Sequence, residues 1–132
     1  MDLMDVLNVT MRWVHISSMA IVLGGLLFLW VGFAESDSAI SARAASAYRP
    51  LFLTAAVLIV VSGIYNFLRK TGLPPAYHIV FGIKILLVLH VLTAGFLATR
   101  SSSPKRRRQA AGAAITGFAV LALSAVLRHL SM

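Results

Sequence analysis

The sequence predicts an all-α, polytopic membrane protein folded as a bundle of four transmembrane helices, and three observations carry that expectation. The chain is 59% hydrophobic and 12% charged over 132 residues, with a mean hydropathy of +0.87, which is far too apolar for an ordinary soluble domain. Its apolar residues fall into four runs, at about 9–33, 50–69, 77–98 and 110–130, each long enough to cross a hydrocarbon layer of ~30 Å as a helix. Most of the cations lie in short segments between those runs, as membrane topology requires. The net charge of +8 is therefore read as topology, and no nucleic-acid partner is expected. The chain has no cysteine, which excludes disulfides, thiolate metal sites and cysteine redox chemistry. A single membrane domain, 1–132, surrounded by lipid, follows.

The first run opens acidic, through Asp2 and Asp5, and carries Arg12 and His15 in its first turns. A cleaved secretory signal starts with cations and ends at a small-residue cleavage site, so this run is expected to be retained as a span. Gly24 and Gly25 allow close helix contact near its middle, and Trp13 and Trp30 stand where interfacial aromatics are expected. Residues 34–48 are expected to form a small-residue, polar connection. Arg49-Pro50 then opens the second span, because a first helical turn tolerates proline. Ser62, Asn66 and Arg69 or Lys70 follow at helical spacing and form one polar stripe at its far end.

RKTGLPPA is a turn, broken by Gly72 and Pro74-Pro75. The third span, Tyr77 to Ala98, holds His78, Lys84 and His90, roughly 120° apart around a helix, so they cannot share one face. A charge at the bilayer centre costs about 2.5–3.5 kcal/mol, so Lys84 must face protein, water or a ligand. After the basic link TRSSSPKRRRQ comes the fourth span, ending in Arg128-His129, with Ala113, Gly117 and Ser124 giving it a small-residue side. No internal repeat is evident. The KRRR run either enforces topology or binds anionic lipid heads.

With four spans, seven cations (Arg43, Arg49, Arg100, Lys105, Arg106, Arg107, Arg108) lie on one side and four (Arg12, Arg69, Lys70, Arg128) on the other. The richer side is expected to be cytoplasmic, with both termini outside. Helical rise then gathers His15, Asn66, His78, Lys84 and His129 in the outer half of the bundle. His78 and His129 also read as interfacial side chains reaching water, and His90, near the midplane, suits an interhelical hydrogen bond equally well. The acids Asp2, Asp5, Glu35 and Asp37 all fall outside the spans. Lys84 is thus neutral, or reaches outward to Asp2 or Asp5, or pairs with an external anion. Haem answers the third case: a histidine takes its iron, an apolar interior its ring and cations its propionates. His15 and Met19, at i and i+4, alternatively offer a copper pair.

The segment RWVHISSMAIVLGGLLFLW, Arg12 to Trp30, resembles the first span of the copper-resistance protein D (CopD) superfamily, where a histidine near the start precedes a GGLLF pattern. It is similar also to the haem-containing membrane protoporphyrinogen oxidase, a small four-span protein. Arg49-Pro50, Gly63, Lys84 and the LLVL that follows it extend the resemblance, and GIYNFL and YHIVFGIK look like short bacterial members of the superfamily. The resemblance implies His15 as a haem or metal ligand, Lys84 as a site residue, and the bacterial inner membrane as the location. The chain departs from the oxidase at Gly82, where that family has histidine, and at Val31-Gly32, where it has a proline-arginine pair.

The leading expectation is b-type haem in the outer half of the bundle and a redox or electron-transfer role. His15 would be one axial ligand and His78 or His129 the second, with Lys84 and Arg12 at the propionates and Asn66 beside them. Copper binding or transport through His15 and Met19 is the alternative. A third possibility is a non-catalytic subunit that packs in a larger membrane complex or homo-oligomer through exposed small-residue faces such as Ala113/Gly117.

Overall fold

The computed structural model describes residues 2–32, 39–70, 72–100 and 104–130. Four helices account for almost all of them, α1 (Leu3–Val31), α2 (Ala39–Leu68), α3 (Pro75–Ala98) and α4 (Arg106–Leu130), with no strand among the described residues. Each is long and apolar enough to cross a membrane, so the chain is an all-α, multi-pass integral membrane protein.

The starts of α1 and α3 follow from local chemistry. Asp2 caps α1: its side chain accepts the Asp5 N–H at 2.8 Å, and the Asp5 carboxylate accepts the Asp2 N–H at 3.2 Å. Pro74 and Pro75 open α3, where a missing N–H costs nothing. Gly72, at φ +65°, makes the turn before it. Helix α2 begins at Ala39, eleven residues before Pro50, so most of the expected 34–48 connection is helical and Pro50 lies inside the helix. The reason is composition and packing together. AISARAASAY is rich in alanine, the best helix former, and Ser41, Ala45, Tyr48 and Phe52 recur at helical spacing on its packed side.

Helix α1 packs on α2 and α4, and α4 on α3, whereas α2 and α3 touch little. In lipid, helix association depends on close packing and interhelical hydrogen bonds, because acyl chains are as apolar as leucine. The α1–α2 contact is built this way. Gly25 lets the Tyr48 ring lie against α1, and the Tyr48 hydroxyl reaches the Ile21 and Val22 carbonyls at 2.9 and 3.0 Å. On α4, Gly117 receives the Leu23 side chain of α1, and Ala113 is fully buried. The small-residue side of α4 is therefore an internal seam, and the expected exposed Ala113/Gly117 face is corrected.

Two clusters tie the bundle at its opposite ends. At the end holding Val31, Ala39, Ala98 and Arg106, called the loop end, the fully buried Arg106 guanidinium donates through Nε to the Ala98 carbonyl at 2.8 Å. It also donates to the Arg100 carbonyl and to Ser41 Oγ. One side chain thus joins three helices and rests on the carbonyl-rich C-terminus of α3, where the helix dipole favours a cation. Arg107 donates to the Trp30 carbonyl at 2.9 Å. The KRRR run is accordingly split: Arg106 is an internal tie, while Lys105 and Arg108 are exposed. At the opposite end, called the terminal end, Tyr65 donates to Asn8 Oδ1 at 2.9 Å, joining α2 to α1.

The α2/α3 seam is held only near its ends. Toward the loop end, Phe52 packs against Gly95 and the Arg49 guanidinium lies 4.7 Å from the Phe96 ring centre. At the terminal end, Phe67 stacks on Phe81 at 4.4 Å and faces Tyr77 at 6.5 Å. No residue of α3 from His78 to His90 is buried.

Candidate functional site

Between these two ties lies a cavity of about 620 Å³ that all four helices line. Helix α1 contributes Arg12 and His15. Helix α2 contributes Gly63 and Asn66, the segment after it Lys70, and α4 adds Ser124 and Arg128. Lys84 stands on the α3 wall among Ile85, Val88 and Leu92. Its size suits a cofactor or drug-sized ligand, and its lining is largely apolar with cations and no carboxylate.

His15 is the most constrained polar group of this lining. Its Nδ1 lies 2.8 Å from Ser62 Oγ, and Ser62 stands 2.6 Å from the Leu58 carbonyl one turn back. The serine hydroxyl has a single hydrogen, and the carbonyl can only accept it, so Ser62 accepts from His15 in turn. That assignment puts the imidazole proton on Nδ1 and leaves Nε2 as the acceptor or ligand. The ring is seated across Gly63, where a Cβ would come within 3.5 Å of His15 Cε1. A hydrogen bond on Nδ1 fixes the orientation of the ring.

Four of the residues singled out from sequence, Arg12, His15, Asn66 and Lys84, line this one cavity. The others do not. His78 is exposed, its ring edge-on to Phe67 at 6.5 Å and to Tyr77 at 6.1 Å. His129 and His90 are exposed, and Met19 packs against the hydrophobic core. Asp2 and Asp5 are engaged in capping α1 and do not line the cavity beside Lys84. Among the described residues no three His, Cys, Asp or Glu side chains come together as a metal-binding group.

The site also draws on groups the sequence reading did not assign to it: Ser62, which pairs with His15 without lining the cavity, and Lys70, in the lining. Ser62 was legible as part of a polar stripe, but its pairing with His15 crosses 47 positions. Lys70 lies 3.3 Å from the Tyr77 hydroxyl and above the Tyr77 ring, closing the terminal end together with the Phe67–Tyr77–Phe81 stack. The aromatic residues on either side of the 69–74 turn were the only signal for that closure. No protein-family model, curated protein or solved structure matches this chain.

Proposed function

We propose that this protein binds b-type haem in the four-helix cavity, with His15 as an axial ligand, and serves a redox or electron-transfer role. The observation that carries the reading is the His15–Ser62 hydrogen bond inside a cavity lined by apolar groups and cations. Haem needs the same combination: an imidazole with a fixed tautomer, an apolar slot, and cations for two propionates. Arg12, Lys70 and Arg128 line the cavity and would meet the propionates, and Lys84 would balance negative charge deeper in the slot. When bound, the iron supplies one-electron chemistry; the chain's own residues orient the ligand histidine and exclude water. The resemblance to the copper-resistance D superfamily and the membrane protoporphyrinogen oxidase supports the same site through His15 and Lys84. A copper site has less support, since Met19 packs in the core away from the cavity lining.

His78 and His129 do not line the cavity, so His15 is the histidine that would hold the iron. The seven-to-four cation asymmetry supports an orientation with both termini outside, and the family resemblance supports a bacterial inner membrane. The test is absorption spectroscopy of protein purified in mild detergent from haem-replete cells. The expected result is a Soret band that shifts with dithionite, disappears in His15→Ala and persists in His78→Ala and His129→Ala. A colourless, iron-free protein overturns the proposal.

A further inference from the structure

The cavity opens sideways. Val60 and Ile64 of α2 and Ile85 and Leu89 of α3 line it and are also 44–56% exposed, so they form the two lips of a slit along the α2/α3 seam. In a bilayer, that slit faces acyl chains. Measured along α3 from Tyr77 to Leu92, it is about 22 Å long, compared with about 15 Å for the hydrocarbon of one leaflet. Its cations are not spread evenly: Lys70 follows the last turn of α2, Arg128 is in the last turn of α4, Arg12 stands about 13 Å into α1 from Leu3, and the rest of the lining is apolar apart from His15, Asn66, Tyr77, Lys84 and Ser124. Negative charge at one end and a long apolar body along the seam is the shape of a phospholipid in its own leaflet.

We infer that the α2/α3 seam is a binding site for an anionic phospholipid, with an acyl chain between the two helices and the phosphate among Arg12, Lys70 and Arg128. The site shares the cavity assigned above to haem but does not depend on haem. It makes the seam the route by which membrane-dissolved ligands reach His15. The aromatic stack at one end and the Phe52–Gly95 contact at the other hold the two helices apart.

The chain has no cysteine, so single cysteines can be labelled uniquely. Bimane is attached at Leu89→Cys, with Ile85→Cys as a second lip position and Leu86→Cys, outside the cavity lining, as the control. The protein is reconstituted without added haem in phosphatidylcholine vesicles. Brominated acyl chains are carried either by phosphatidylglycerol or by phosphatidylcholine at equal mole fraction. The expected result is several-fold stronger quenching by the anionic lipid at the lip positions, equal quenching at Leu86, and loss of the preference in Arg12→Gln/Lys70→Gln. Equal quenching by both lipids at Leu89 and Ile85 overturns the inference. So does the same anionic preference at Leu86, or a preference that survives loss of the two cations. A protein that never binds haem leaves every arm of this test intact.

Discussion

His15 Nδ1 lies 2.8 Å from Ser62 Oγ, joining the first helix to the second across the wall of the cavity. The pairing gives the imidazole one tautomer and one orientation, which is what a ligand histidine requires. Removing the oriented ring and removing its orienter should therefore differ. His15→Ala is expected to abolish haem binding, whereas Ser62→Ala should weaken it by about 10–100-fold, the usual effect of losing such a partner. Haem titration followed in the Soret region checks both. Unchanged affinity in Ser62→Ala would remove the orienting role.

Lys84 stands in an apolar wall with no carboxylate in the cavity lining. If it neutralises a bound anion, Lys84→Met leaves that anion buried and uncompensated, a loss of about 3–5 kcal/mol in comparable buried pairs. Lys84→Met should lower haem occupancy and thermal stability together, and Lys84→Arg should retain part of both. A lysine that merely reaches for the interface would behave in reverse, since Met removes an insertion cost of about 2.5–3.5 kcal/mol. Occupancy and melting temperature of the two variants decide between these.

Adjacent glycines of α1 should respond in opposite ways. A Cβ on Gly25 would collide with the Tyr48 ring, whose hydroxyl is anchored to the Ile21 and Val22 carbonyls, so the ring cannot retreat without breaking those bonds. Gly25→Ala is expected to cost about 1–3 kcal/mol, the range for overpacking. Gly24 has open space around its Cβ position. Gly24→Ala should be neutral or stabilising by up to about 1 kcal/mol through helix propensity. Melting in detergent measures both.

Arg106 is fully buried and donates to Ala98, Arg100 and Ser41. Hydrogen bonds to charged groups contribute about 1.5–3 kcal/mol, so Arg106→Ala is expected to destabilise the bundle by about 3 kcal/mol. Arg108→Ala, one residue pair along on an exposed position, should change stability little. Equal effects of the two would mean that the loop end is not tied through Arg106.

Orientation is open to a labelling experiment. Single cysteines at Ala76 and Pro104, both exposed and at opposite ends of the bundle, should react with a membrane-impermeant thiol reagent differently in intact cells. Labelling at Ala76→Cys alone is expected; labelling at Pro104→Cys alone would reverse the cation reading.

Much of this protein was determined by sequence composition and periodicity alone. Four apolar runs of membrane length dictate four helices, since a lipid-exposed backbone must satisfy its own hydrogen bonds. Depth along each helix follows from 1.5 Å per residue, which groups His15, Asn66 and Lys84 with His78 and His129, and of these only the first three line the cavity. Helix starts were less legible. Pro50 read as a first-turn residue, yet α2 extends back to Ala39, because alanine propensity and the packing of Ala45, Tyr48 and Phe52 outweigh the bond lost at the proline.

Only the tertiary structure decided which way the side chains at a given depth turn. His78 and His129 share the terminal end with His15 but lie on exposed faces. One ~100° step around a helix separates cavity from lipid, and in an all-apolar helix no amphipathic pattern marks the inward side. The same is true of pairings between distant positions. Ser62 with His15, Tyr48 with Gly25, and Arg106 with Ser41 and the α3 carbonyls depend on which helices are neighbours. That order, with α2 and α3 adjacent in sequence yet forming the loosest seam, is set by side-chain packing across the whole bundle and is not written in any single helix.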